Sequence, residues 1–200
     1  MFKDIYIYGA SGHGLVVADI ARVCGYETII FVDDGENEYV SFEDIELNND
    51  IPIALGVGDN FIREKLFEKV KEFDFHVVTL IHPSAIVSVS ASLGNGVVVM
   101  PNVVINAKAK IGNGTILNSI CVVEHECNIG AFSHISPNCA LAGNVLVGKF
   151  THIGIGSSVI QNISIGSSVI VGAGSVVVEN IKDCKIAYGN PCKEMKEIIR

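Results

Sequence analysis

From Leu93 to Val177 every sixth residue is aliphatic: Leu93, Val99, Ile105, Ile111, Leu117, Val123, Ile129, Ile135, Leu141, Val147, Ile153, Val159, Ile165, Val171 and Val177. Ile81 and Val87 carry the series two steps further back. A helix repeats at 3.6 residues and a half-buried strand at 2, and both periods fit this segment poorly. Four residues after each aliphatic stands a small or β-branched residue: Val97, Val103, Ala109, Thr115, Cys121, Cys127, Ser133, Cys139, Val145, Thr151, Ser157 and Ser175, with Ile163 the bulkiest. Glycine follows the aliphatic at Gly94, Gly112, Gly130, Gly148 and Gly166, each eighteen residues from the last. A period of six inside a period of eighteen implies a coil of three short strands. The aliphatic points inward, the small residue fills the corner, and the glycines are expected to permit the turn backbone. Stacked about 4.8 Å apart as parallel strands, five such coils make a triangular prism roughly 24 Å tall. Cys121, Cys127 and Cys139 fall on the inward ladder and are expected to pack as small hydrophobes.

Residues 1–81 follow a different grammar. Ile5–Tyr8 is a short apolar strand, and Gly9-Ala10-Ser11-Gly12-His13-Gly14 is a glycine-rich turn. Leu15–Cys24 has helical spacing, Thr28–Asp34 is a second strand ending in two acids, and Ile51–Val57 is a third. Asn60–Phe73 is helical with Phe61, Ile62, Leu66, Phe67 and Val70 apolar, and Phe75–Ile81 is a fourth strand. This alternation predicts a small α/β domain with a parallel, Rossmann-like sheet. The expected organisation is an α/β domain at 1–81, a prism at 82–183 and a closing tail at 184–200.

The net charge of −8 and the lack of a basic run argue against nucleic-acid binding, and an acidic surface repels anionic membranes. No leader-like apolar segment opens the sequence and no 18-residue apolar run follows, so a cytoplasmic protein is expected. The six cysteines form no CxxC pair and are not expected to form a disulfide framework.

Titratable residues are sparse in the prism. His125 is flanked by Glu124 and Glu126 and stands two residues past an inward aliphatic, at an outward turn. A carboxylate there can accept the imidazole N–H, fix the tautomer and raise the basicity of the other nitrogen. One coil above His125 is Gly143, whose N–H can steady an oxyanion or which can be a plain turn glycine; both readings stand. His134 and His152, also eighteen apart, stack on one edge. His134 is taken as a site residue and His152 as a bystander. In the first half, the turn at Ser11, Gly12 and His13 exposes N–H groups to a phosphate, and Asp33 and Asp34 stand where an acid meets ribose hydroxyls. The spacing is G-x-x-G-x-G, so a mononucleotide fits better than a dinucleotide, and a plain strand–helix turn is the alternative.

The ladder of residues 85–180 resembles the hexapeptide-repeat family, and that resemblance implies a left-handed parallel β-helix, trimers, and active sites between neighbouring prisms. The α/β domain with Gly-Ala-Ser-Gly-His-Gly, the stretch His82-Pro83-Ser84-Ala85 and the prism carrying Glu124-His125-Glu126 together resemble a narrower group, the nucleotide-sugar aminoacetyltransferases, which includes the UDP-4-amino-sugar N-acetyltransferases of bacillosamine synthesis. By that resemblance, Ser11, Gly12, His13, Asp33, Asp34, Gly58 and Phe61 contact the nucleotide sugar. His125 is the general base and Glu126 its partner. His134, Gly143, Ile155 and Ala173 contact acetyl-CoA, and the small residues Gly172 and Gly174 beside Ala173 let the pantetheine approach the backbone. The stretch Tyr188-Gly189-Asn190-Pro191-Cys192-Lys193 is similar to the family's closing motif, with Cys192 in place of alanine. The implied reaction is direct acetyl transfer to the amine of a UDP-linked 4-amino-4,6-dideoxy sugar, with acetyl-CoA as co-substrate, no metal and a homotrimer. Rival readings are O-acetylation of sialic acid or another sugar, a γ-type carbonic anhydrase with three histidines on zinc, and a non-catalytic nucleotide-sugar sensor.

Overall fold

The computed structural model describes residues 3–45 and 47–198; the expected domain limits at residues 1 and 200 fall outside that range. The chain opens with strand β1 (Asp4–Tyr8), helix α1 (Gly12–Val23), strand β2 (Thr28–Val32), a one-turn helix α2 (Phe42–Ile45), strand β3 (Ile53–Leu55) and helix α3 (Asn60–Glu72). The three strands form a parallel sheet in the order β2-β1-β3. Along β1, Ile5 and Ile7 point to one face and Tyr6 and Tyr8 to the other, as the strand period requires. The isoleucine face is covered by α1 through Val17, Ala18, Ile20 and Ala21. The tyrosine face is covered by α2 and α3 through Phe42, Ile45, Phe67 and Val70.

Two expectations for this half need correction. The third strand is only Ile53–Leu55, and the stretch expected as a fourth strand does not join this sheet beyond a single bridge from Ile53 to Val77. Its end, Leu80–Ile81, pairs with Val98–Val99 and is already the first strand of the prism. The buried stripe of α3 is also not the apolar one. It is Asn60, Arg63, Phe67 and Val70, whereas Ile62 is half exposed.

The prism then winds through seventeen two-residue strands, from Leu80–Ile81 to Val176–Val177. Three parallel ladders result. Face I runs through Leu80, Val98, Ile116, His134, His152 and Ile170; face II through Ile86, Val104, Val122, Ala140, Ser158 and Val176; face III through Ser92, Lys110, Asn128, Leu146 and Ser164. Every register offset along these ladders is eighteen residues. From Val99 to Val177 the inward aliphatics are buried. Ile81, Val87 and Leu93 hold the same register at the open lower end, where Ile81 is 38% exposed. The small ladder is buried throughout, and its hydroxyls are satisfied: Thr115, Ser133, Thr151 and Ser157 donate to the carbonyls of Gly130, Gly148, Gly166 and Gly172 at 2.6–3.2 Å. Cys127 and Cys139 make the same kind of contact with Ala142 and Gly154, and burial pushes both thiols up. All six cysteines are free.

The glycines spaced by eighteen do a different job from the one expected. Gly94, Gly112, Gly130, Gly148 and Gly166 do not have left-handed φ. A Cβ at Gly112, Gly130 or Gly148 would stand 2.4–2.5 Å from the backbone nitrogen of the next coil, so these positions must be bare for the coils to stack. The left-handed residue of each turn comes two places later, and it recurs every six residues from Gly96 to Gly174. Asparagine or glycine fills many of these positions, the residues that tolerate that region best.

The tail forms a hairpin of Lys185–Gly189 and Cys192–Glu197 that extends face I. At the other end, the apolar layer beneath α1 is continuous with the prism core. Arg63 ties the two halves together. It is 1% exposed and donates from α3 to the carbonyls of Gly114, Phe132 and Ser133 on the prism, as well as to Val57, Gly58 and the side chain of Asn60. A stack of Phe61 on Phe150, and Phe150 on Phe132, covers the same corner between faces III and I.

Candidate active site

In a 2-1-3 parallel sheet the crevice outside the carboxyl ends of the strands lies where the chain turns to opposite sides, between β1 and β3. Here the loop after β1 and the loop after β3 press together. A Cβ at Gly14 would stand on the Gly9 carbonyl oxygen, and one at Gly56 would lie 2.5 Å from that same oxygen. Gly12, by contrast, faces open space. Ser11 is the N-cap of α1 yet makes no side-chain capping bond, so its hydroxyl is not committed to the helix start, whose first N–H groups have no intrahelical acceptor. Ser11, Gly12, His13 and Gly58 are brought together here, with Phe61 across the cleft. A pocket of about 100 Å³ lies alongside, lined by Gly58, Asp59, Asn60, Phe61, Phe150 and His152.

The two acids after β2 border a second pocket of about 190 Å³ with Tyr8, Gly9, Val57, Ile62 and Leu66. Both are already engaged within the chain. Asp33 accepts the Ala10 N–H at 2.9 Å and also the Gly35 N–H and Asn37 amide, which hold its carboxyl below its ordinary range and brace the glycine-rich loop. Asp34 accepts the Tyr8 hydroxyl, the Phe42 N–H at 2.8 Å and the Lys69 ammonium at 2.9 Å. Burial and Asp34 raise the Tyr8 phenol well above its ordinary range. Each carboxylate has about four lone-pair sites, so capacity for a ligand hydroxyl remains.

Beneath His13 lies a column of imidazoles. The ring of His13 is 6.4 Å from that of His134, and His134 stacks on His152 at 4.7 Å with 12° between the planes. Asn118 reaches His134 Nε2 at 3.0 Å, and Ser136 meets His152 Nε2 at 2.8 Å. His13 Nε2 is buried without a partner among the described residues. Burial, reinforced by the Arg63 charge, takes His13 down to about 4; burial, then His152 and Arg63, takes His134 down to about 3. All three rings are therefore neutral near pH 7. Arg63 itself is lowered to about 10 by burial and stays protonated. The sequence reading missed Arg63 and Asn118 and discounted His152. The spacing Asn60–Arg63–Phe67–Val70 does put Arg63 on the buried side of α3, and only the habit of expecting apolar residues there hid it.

His125 lies elsewhere, at the corner between faces II and III. Its Nδ1 is 3.2 Å from Glu126 Oε2, within reach for the carboxylate to accept an Nδ1–H hydrogen bond, the tautomer in which Nε2 carries the lone pair. Lys108 stands 4.0 Å from the other Glu126 oxygen. The ring rests on bare backbone one coil up: a Cβ at Gly143 would come within 2.5 Å of His125 Cε1 and Nε2. Gly143 has no left-handed φ, so the missing side chain serves the imidazole and not the turn. Its N–H has no acceptor among the described residues, whereas the next N–H, that of Asn144, bonds the His125 carbonyl at 2.8 Å.

Within one chain these parts do not meet. The α/β domain, His134 and His152 occupy face I, and in a three-sided coil the corner of His125 is the vertex opposite that face. Ile155, Gly172, Ala173 and Gly174 lie on the corner between faces I and II, in the coils above His134. Ile155 is 55% exposed and Gly174 faces open space. The room left by Gly172, however, is taken by the Tyr188 Cβ of the tail hairpin. The His125 and Glu126 side chains are 59% and 54% exposed, so in a single copy the pair is open to water. Among the described residues no group of three or more His, Cys, Asp or Glu is arranged to hold a metal ion, and no helix is long and apolar enough to cross a membrane.

Residues 4–70 match the family described as the PglD N-terminal domain. The chain is 37% identical over 113 residues to a UDP-N-acetylbacillosamine N-acetyltransferase of Bacillus subtilis strain 168; that match covers 49% of this chain and spans about half, 51%, of the relative. Over nearly the whole length it superposes on a variant of the GDP-perosamine N-acetyl transferase from Caulobacter crescentus in complex with CoA and GDP-perosamine, with TM-score 0.93, 37% identity and 97% of each chain covered. It also superposes on the acetyltransferase domain of PglB from Neisseria gonorrhoeae FA1090 in complex with acetyl coenzyme A, with TM-score 0.92, 36% identity, and 98% of this chain and 100% of that one covered. The chain therefore belongs to the left-handed β-helix family of nucleotide-sugar N-acetyltransferases.

Proposed function

We propose that this protein transfers the acetyl group of acetyl-CoA to the amine of a UDP-linked 4-amino-4,6-dideoxy sugar, as a cytoplasmic homotrimer whose sites lie between copies. The observation that carries the reading is the seat of His125: an exposed imidazole with the Glu126 carboxylate on Nδ1 and its Nε2 edge against the bare Gly143 backbone one coil up. Because His125 lies across the prism from its own nucleotide crevice, the acceptor amine is met by the His125 of a neighbouring copy. Face II supports that packing. Its outward row of Ile86, Val104, Val122, Ala140, Ser158 and Val176 is apolar or small, while face III presents Lys110, Asn128 and serines beside a single Leu146.

In the proposed step the amine nitrogen attacks the thioester carbon. His125 Nε2 takes the amine proton as the bond forms, the Gly143 N–H steadies the developing oxyanion, and CoA leaves as its thiolate and is protonated. Ser11, Gly12, His13, Asp33, Asp34, Gly58 and Phe61 hold the nucleotide end, so binding energy remote from the amine positions it. His134, Ile155, Ala173 and Gly174 border the acetyl-CoA channel. The test is a panel of UDP- and GDP-linked 4-amino sugars, with sialic acids as controls, assayed by chromatographic release of CoA and by mass of the product. Turnover of sialic acid but of no amino sugar would overturn the N-acetyl assignment.

A further inference from the structure

Ile120 is the one β-branched residue with left-handed φ among the described residues, at 63°. It sits on the corner between faces I and II, in a column whose other left-handed members are Asn102, Asn138, Gly156 and Gly174. A side chain branched at Cβ crowds the backbone there, and asparagine or glycine would relieve it. Burial does not repay the strain in a single copy, because Ile120 is 56% exposed. Strained backbone positions of this kind cluster at ligand clamps and switch regions.

Its surroundings say what. Two residues earlier Asn118 holds His134, and His134 faces His13 on the nucleotide loop. Ile120 therefore stands at the outer end of a line from the nucleotide crevice across face I. It also shares its coil with His125, five residues on, so copies related by an axis along the prism present Ile120 and a neighbour's His125 at one height. In the proposed trimer, a sugar reaching from the crevice to a neighbour's imidazole would pass the corner of Ile120.

Resting on the acetyl-transfer reading, we propose that Ile120 is a specificity residue that packs against the C6 methyl of a 6-deoxy acceptor sugar and disfavours the 6-hydroxy analogue. An apolar wall rejects an added hydroxyl by no more than about 100-fold, since nothing in it is built to exclude the oxygen. The test is Ile120→Asn, the residue the column itself uses, with UDP-4-amino-4,6-dideoxyhexose and its 6-hydroxy counterpart as acceptors and with Tm and oligomeric state measured alongside. The expected result is an unchanged or raised Tm, an unchanged assembly, and a preference for the 6-deoxy sugar reduced at least about tenfold in kcat/KM. An unchanged preference overturns the proposal. So does an equal loss on both sugars with a weakened assembly, which makes Ile120 a packing residue, or a change confined to acetyl- against propionyl-CoA. If the wild-type protein acetylates neither sugar, the transfer reading falls first.

Discussion

Gly143→Ala separates the proposed catalytic role of His125 from the integrity of the fold. The added Cβ would lie 2.5 Å from His125 Cε1 and Nε2 and 3.2 Å from Nδ1. Carbon contacts settle at about 3.5–4.0 Å, so something must yield by roughly 1 Å. The coil is held by the Asn144 N–H on the His125 carbonyl at 2.8 Å, whereas the exposed imidazole is tied by its side chain to Glu126 alone, so the ring moves. A misplacement of about 1 Å at a reacting group costs on the order of 100-fold, or about 2.7 kcal/mol in the barrier. Alanine is otherwise welcome, because Gly143 has no left-handed φ, and the change is expected to leave stability unaltered or raise it by about 0.4–1 kcal/mol. Steady-state CoA release and thermal unfolding on the same preparation test both halves. Activity within about threefold of wild type would refute the claim that the imidazole must rest on bare backbone. A collapse of Tm would instead make Gly143 a folding glycine.

Three further outcomes follow from the geometry. His125→Ala should lower kcat by about 10²–10⁴ while acetyl-CoA still binds, measured by turnover and by calorimetric titration of CoA. Gly130→Ala, whose Cβ would meet the Lys149 nitrogen at 2.5 Å, should unfold the prism or destabilise it by several kcal/mol, while Gly174→Ala, with open space at φ +66°, should lose only about 1–2 kcal/mol; urea unfolding of both tests whether coil stacking or turn shape needs the glycine ladder. Stability should fall as pH drops below about 6.5, because His13 and His134, lowered to about 4 and about 3, stay neutral when folded and take up protons when unfolded. Between pH 7.5 and 5.0 the loss should be about 2 kcal/mol for each of these two imidazoles, and His134→Asn should remove its own share of about 2 kcal/mol; equal slopes for mutant and wild type would disprove the burial argument.

The prism was legible because its core is periodic in the chain: each coil repeats one pattern, and eighteen residues on is always the next layer. The same arithmetic placed Gly143 over His125 and His134 on His152. It failed where the reason for a residue was the backbone of another layer. Gly112 and Gly130 looked like turn glycines, but their bareness admits the next coil. It failed also on Phe75–Ile81, whose apolar run is equally at home in either half; pairing of Leu80–Ile81 with Val98–Val99 decides it. Arg63 escaped notice because its role lies in carbonyls 51 to 70 residues away, with no pattern in the chain to announce them.

The amino-acid sequence alone determined the period, the inward faces, the α/β half before the prism and the His125–Glu126 pair, since each rests on neighbours along the chain or on a fixed repeat. Only the tertiary structure decided that the crevice of the α/β domain and His134 share face I while His125 occupies the opposite vertex. Which corner a residue occupies relative to a separate domain depends on how that domain docks, and docking here is set by a buried guanidinium and a phenylalanine stack formed from residues remote in sequence.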